Sequence, residues 1–296
     1  EAALGKTPPL LELGDLYLRM PGRQAESLEV YRRAVKIDPK SAGAHYGLGA
    51  AAAANGKRAD AIAALERAAA LQPSDASALR AIGRLQMEAG AFGKALSAVD
   101  AALVRQPKLV PLMLDRADIL SKAGRNQEAI QQLQKAAETA PRAFEIRVKL
   151  GDTWYASGNA DQAQAQYLKA IELEPKHPLA YNNLAWLTVE RKGDLKKAVE
   201  WSNQAVALAP DAAAFRDTLG WALRASGNLR DAISNLKRAV ELDPKGAGYL
   251  YHLGIAQAEA QNPVDARLAL NRALEIDPRL PDASKAKELL KSLPAK

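Results

Sequence analysis

Eight prolines, at positions 39, 73, 107, 141, 175, 210, 244 and 278, mark off this chain every 34 residues, with a single interval of 35. A period of that size specifies a row of like supersecondary units, each packing on its neighbours, in place of one central core. Other marks repeat with the prolines. An apolar pair at helical spacing precedes six of them: Leu65 with Ala68, Val99 with Ala102, Leu133 with Ala136, Tyr167 with Ala170, Leu236 with Ala239 and Leu270 with Ala273. Ten residues after successive prolines stands a small residue: Gly49, Gly83, Ala117, Gly151, Ala185, Gly220 and Gly254. Midway fall Gly56, Gly90, Gly124, Gly158, Gly193 and Gly227.

Each mark has a physical reason. Proline cannot continue a helix, so it ends one and sets the chain for the next. The small residue lets two helices approach closely, and a leucine there would overpack by about 1–3 kcal/mol. The midway glycines suit a left-handed turn between the two helices of a unit. One helix of about 14 residues is only about 21 Å long and marginal alone. Stacking supplies the missing burial. Only 5% of the chain is aromatic and alanine is abundant, which favours helix over strand.

A few places depart from the period. The first unit carries an extra residue near Met20–Pro21 and starts on Pro8–Pro9. The sixth has one extra residue in its turn, Glu190 to Gly193, and the eighth puts Gln261 where the others have glycine. Arg116 replaces an apolar residue and is read as snorkelling to water. Residues 279–296 read as a closing helix, with Asp282 as its cap and Ala286, Leu289 and Leu290 as its apolar stripe. The chain opens at Glu1 without an initiator methionine, and residues 1–6 resemble the tail of a preceding segment. More repeats are therefore expected upstream.

Leu-Gly early in the first helix, a midway glycine, then Ala-x-x-x-aromatic/Leu-x-x-Ala and proline at period 34 resemble the tetratricopeptide repeat. The likeness covers residues 7–278 as about eight units. It implies an all-α, right-handed α-solenoid of antiparallel helix pairs. First helices would line a concave face and second helices a convex one.

Chemistry of the enzymatic kind is not legible. His45, His177 and His252 sit in different units without metal-ligand spacing. No nucleophile elbow, zinc-protease motif or phosphate loop occurs. Gly47 to Ala52 fits a dinucleotide fingerprint only in letters, since no strand precedes it. The segment is read as non-enzymatic, with no cofactor and no metal. The absence of cysteine excludes disulfides and thiolate metal sites. No apolar run reaches the roughly 20 residues that would span a bilayer. The net charge of +7 is spread among neighbouring acids, so the basic residues read as a solvated face and nucleic acid is not an expected partner.

The expected groove positions change character along the chain. In the third and fourth units they are Arg80, Arg84, Asp115 and Asp118, read as ion pairs between adjacent helices. From the fifth unit on they become Asp152, Tyr155, Asn182, Asn183, Trp186, Asp217, Trp221, Arg224, Tyr251 and His252. Eleven of the fifteen aromatic residues lie from Phe144 onward. Flat rings beside amides and carboxylates suit an extended ligand, because rings give area at low entropy cost and polar groups fix register. Trp186 and Trp221 hold equivalent positions and are expected near each other, either stacking on a ligand or filling gaps as Trp154 and Trp201 do.

The runs Tyr181 to Trp186, Asp217 to Trp221 and Tyr251 to Gly254 resemble the C-terminal repeats of bacterial tetratricopeptide-repeat lipoproteins of exopolysaccharide and exosortase (PEP-CTERM) systems. That likeness implies an extracytoplasmic scaffold, periplasmic or lipoprotein-anchored, with a cytoplasmic setting left open. Three functions follow as expectations: a groove that binds a protein or peptide partner, a groove that binds polysaccharide directly, or the regulatory array of a larger enzyme. Pairing of solenoid ends into a homo-oligomer is a further partner reading.

Overall fold

A computed structural model describes residues 7–294. The expectation for residues 1–6 lies outside them. Seventeen helices and no strand occupy the described residues.

The helices fall into two compact units, Glu1–Pro141 and Arg142–Lys296. The first unit holds four antiparallel pairs: α1 (Thr7–Arg19) with α2 (Gln24–Ile37), α3 (Ala42–Ala54) with α4 (Arg58–Leu71), α5 (Ser77–Glu88) with α6 (Phe92–Arg105), and α7 (Val110–Lys122) with α8 (Asn126–Thr139). The second holds four more: α9 (Phe144–Ala156) with α10 (Ala160–Leu173), α11 (Pro178–Glu190) with α12 (Leu195–Leu208), α13 (Ala213–Ala225) with α14 (Leu229–Leu242), and α15 (Ala247–Glu259) with α16 (Pro263–Ile276). A last helix, α17 (Ala283–Ser292), packs on α16. First helices of adjacent pairs also touch: α1 with α3, α5 with α7, α9 with α11, α11 with α13 and α13 with α15. Each unit is a helical-repeat solenoid.

The prolines act as expected, through the residue before them. Every second helix stops two residues short of its proline. The intervening residue takes φ between −129° and −145°, the extended backbone that a following proline enforces. Its N–H still donates back to a buried alanine carbonyl, from Ala34 in α2 to Ala273 in α16.

The turns within the second to eighth pairs close by one hydrogen-bond scheme. In the fifth pair the Asn159 N–H donates to the Trp154 carbonyl and the Gly158 N–H to the Tyr155 carbonyl, with Gly158 at φ 81°. This satisfies the orphan carbonyls of α9. The sixth pair corrects the expectation that Gly193 takes the left-handed place, and the eighth puts Gln261 there, as its sequence position predicts. In the sixth, Lys192 takes it at φ 51°, and the extra residue is Gly193, which follows. In the eighth, Gln261 holds it at φ 60°.

Close packing within a pair is set by the small residue. A Cβ on Gly151 would stand 2.3 Å from the Tyr167 ring, and one on Gly220 would stand 2.6 Å from Leu236 Cγ. The sixth pair has Ala185 instead, and the facing position is Ser202 where other pairs have Tyr, Leu or Val. Both residues of that pair are fully buried.

Two further expectations are corrected. Arg116 does not snorkel free: its Nε donates to Asp100 Oδ1 at 2.7 Å and Nη1 reaches Gln132 Oε1 at 3.5 Å. Asp282 makes no capping hydrogen bond to α17; its carboxylate holds Lys285 at 2.8 Å. The expected stripe of α17 does face the protein, with Ala286 fully buried against Leu250, Tyr251 and Leu270 and with Leu289 and Leu290 beside it. At the other end, Arg267 donates to the carbonyls of Leu290, Leu293 and Pro294 and closes the helix.

Three substitutions check this account by urea unfolding. Gly151→Ala is expected to lose about 1–3 kcal/mol through the clash with Tyr167, whereas Ala185→Gly stays within about 1 kcal/mol. Gln261→Gly is expected to gain about 0.5–1 kcal/mol by relieving the left-handed backbone.

Candidate functional site

The first-helix face of the second unit carries a cleft and, next to it, a tightly bonded cluster. The cleft, about 290 Å³, is lined by Asp152 and Tyr155 of α9, Asn182, Asn183, Trp186 and Leu187 of α11, Thr218 of α13 and the Tyr167 ring from α10. Its polar wall is organised by Asp152. The Tyr167 hydroxyl donates to Asp152 Oδ1 at 2.8 Å, and Asn183 Nδ2 donates to the same oxygen at 2.9 Å. Burial, and then the charge of Asp152, push the Tyr167 phenol well above its ordinary value, so it remains a donor. Asn182 Nδ2 donates to Asn183 Oδ1 at 3.3 Å. Tyr155 is 41% exposed at the mouth.

The cluster is centred on His252 of α15. Its Nδ1 lies 2.8 Å from Asp217 Oδ1 and 2.9 Å from Oδ2, so Asp217 fixes the ring tautomer as well as its orientation. The imidazole stacks on Trp221 at 4.3 Å between centroids and meets Trp186 at 5.9 Å, tilted. Trp221 also carries the Arg224 guanidinium over its ring at 4.0 Å, and Arg224 reaches Glu259 at 3.0 Å. Asp217 is only 6% exposed, so this is a largely buried pair.

The predicted residues are therefore not one surface. Tyr155, Asn182, Asn183 and Trp186 line the open cleft. Asp217, Trp221, Arg224 and His252 engage one another. Trp186 and Trp221 meet the same imidazole, so they do stand near each other, with His252 as the joint. Tyr251 departs from its expected place on the groove. It is 6% exposed and packs among Leu250, Leu270, Ala273 and Ala286, because α17 covers it there, whereas Asn182 at the same repeat position lines the cleft. Trp154 and Trp201 pack beside Ala163, Tyr167, Leu184 and Leu187 as gap-fillers. In the first unit Arg80 does pair with Asp115 across adjacent first helices. Sequence reasoning missed Glu259 as the partner of Arg224. The signal was spacing: Arg80 with Asp115, Asp217 with His252 and Arg224 with Glu259 are each 35 residues apart, one beyond the repeat.

Models of the tetratricopeptide repeat match residues 14–56, 46–109, 120–187, 179–212 and 218–281. The chain belongs to the tetratricopeptide-repeat family. No curated protein sequence matches it significantly. Among solved structures, this tetratricopeptide-repeat chain is similar to one in the APC/C hetero-tetramer Cut9–Hcn1 (TM-score 0.66, 20% identity, 90% of this chain covered) and spans about half, 52%, of that chain. It is similar to yeast Tom70 (TM-score 0.69, 15% identity), with 97% of this chain and 63% of that one covered. A tetratricopeptide-repeat protein from Parabacteroides merdae matches at TM-score 0.66 and 17% identity over 84% of this chain and 97% of its own. At these identities the likeness is one of fold.

Replacing His252 by alanine strips a buried carboxylate of its two contacts and Trp221 of its stacking partner. The expected loss is about 2–3 kcal/mol in urea unfolding, with a shift in tryptophan emission. Combined with Asp217→Ala, the loss should fall short of the sum of the single losses, as contacting residues require.

Proposed function

We propose that this tetratricopeptide-repeat chain is a non-catalytic scaffold that holds an extended segment of a partner protein along the first-helix face of its second unit. The observation that carries this reading is the Trp186 cleft. It combines a partly open indole, an exposed phenol at Tyr155 and the side chains of Asn182, Asn183 and Asp152 within one concave space. Rings supply contact area, and amide and carboxylate groups set the register of a peptide backbone. Asn182 Oδ1, on the cleft wall, is buried without a hydrogen-bond partner, a cost a ligand donor would relieve. In this reading Asp217, His252, Trp221 and Arg224 are the frame. They hold Trp186 in place and do not themselves stack on the ligand.

Saccharide is the second reading, since Trp186 stands among amide groups suited to sugar hydroxyls. The narrower resemblance of the last repeats would set such a scaffold on the extracytoplasmic side of a bacterial cell, in exopolysaccharide synthesis or secretion. That setting rests on the resemblance alone.

Titration of intrinsic tryptophan fluorescence with random-sequence peptide pools and with neutral oligosaccharides separates the two. A peptide response that Trp186→Ala weakens by about 2 kcal/mol, roughly 30-fold, and that Tyr155→Ala also weakens, is expected. A saccharide response alone would replace the partner-protein reading, and no response to either would remove the site.

A further inference from the structure

We propose that the outer side of the last helix pair is a second docking surface, for a partner segment that presents a bulky apolar side chain next to a carboxylate. A groove of about 440 Å³ runs there, with Leu250 and Leu253 of α15 and Leu268 and Ala269 of α16 as its apolar floor. Lys237 of α14 and Arg272 of α16 stand on its rim.

The period of the chain shows that this floor is not routine. At the place of Leu268, the other seven second helices carry glutamate, alanine, serine or glutamine. At the place of Val264, one turn earlier, they carry alanine, glycine, glutamine, aspartate, lysine or arginine. Only in α16 are both large and apolar, and they remain 72% and 68% exposed. A scattered exposed leucine means nothing, but two on one helix face beside an apolar groove make a contiguous patch.

Charge decides what the patch fits. Lys237 and Arg272 occupy neighbouring repeat positions on two parallel helices, so they flank one end of the groove. Arg272 is tied only to Glu275, in an exposed pair at 3.3 Å. The single lining carboxylate, Asp265, lies two turns away along α16. An occupant therefore gains most by placing an acid between Lys237 and Arg272 and an apolar side chain on Leu268. A basic segment would meet like charges at that end. The site is separate from the Trp186 cleft and does not rest on the function proposed for it.

The experiment pans the full chain against a displayed library of random linear peptides and retests each clone on variants. Clones weakened roughly tenfold or more by Leu268→Glu and by Lys237→Glu, and carrying an apolar residue next to Asp or Glu, are expected. Their binding should be unchanged in Trp186→Ala. Clones sensitive to Leu268→Glu but lacking an acid would overturn the ligand class. If no clone is sensitive to Leu268→Glu, the surface is not a docking site. Self-association in sedimentation that Leu268→Glu abolishes would show a second copy on this face, and would overturn the proposal in the same way. Leu268 is exposed, so the variant keeps the fold, which circular dichroism confirms.

Discussion

The close approach of two helices at one small residue is the constraint on which the rest depends. Where Gly151 meets the Tyr167 ring, no Cβ fits, and the helix axes come near enough for side chains to interlock. The same contact recurs with Leu65, Val99, Leu236 and Leu270 as the large partner. A pair joined this way still buries too little to stand alone, so its outer faces remain apolar and the next pair must cover them. The first helices are thereby laid side by side, and whatever they present becomes one face. In the fifth pair the consequence reaches the cleft directly. The tyrosine that fills the space over Gly151 is the one whose hydroxyl holds Asp152.

Stacking at a fixed step also decides which side chains can meet between pairs. A residue on one first helix reaches the residue 35 positions on, because the next helix is displaced by about one residue relative to the repeat. Arg80 and Asp115, Asp217 and His252, and Arg224 and Glu259 all obey this. The rule turns a list of groove residues into bonded partners. It accounts for two of the contacts that occupy expected binding residues, Asp217 with His252 and Arg224 with Glu259. Trp221 lies against His252 and Arg224, and His252 is held by Asp217, whereas Trp186 keeps a side toward the cleft. One repeat position can thus yield a ring that lines a cleft in one unit and a structural ring in the next.

The fold was legible because its determinants are local and repeated. Proline, the extended residue before it, the left-handed turn and the small residue each act within a few positions of themselves. The places that were misread are those where a third element intervenes. Gly193 looked like the turn glycine, but the left-handed place stays at its regular distance from the preceding proline, on Lys192, and Gly193 is the inserted residue that follows it. Arg116 looked unpartnered because Asp100 lies on the preceding second helix, beyond any single-unit reading. Tyr251 shares the alignment column of Asp217, and the column was taken for groove. Its burial follows from α17 and the core of the eighth pair, which no periodic argument contains.

Repetition supplies a baseline, and departures from it are where a repeat protein can hold information. A solenoid needs only its small residues, turns and apolar seams, so any other side chain on its faces is free to vary without cost to the fold. Ring-bearing residues appear at the equivalent positions 186 and 221 but as Asp152 and Ile255 in the flanking pairs, which confines the aromatic face to the middle of the second unit. Val264 and Leu268 break the pattern on the opposite class of helix, and in the last full pair. Neither departure improves the seams: Trp186 is only partly buried, and the two aliphatic residues lie mostly in water. Exposed apolar area of this kind lowers no folding free energy and raises the risk of nonspecific association. It is concentrated at two separate places, one with amides and a carboxylate and one with two cations, where the seams of the solenoid do not require it.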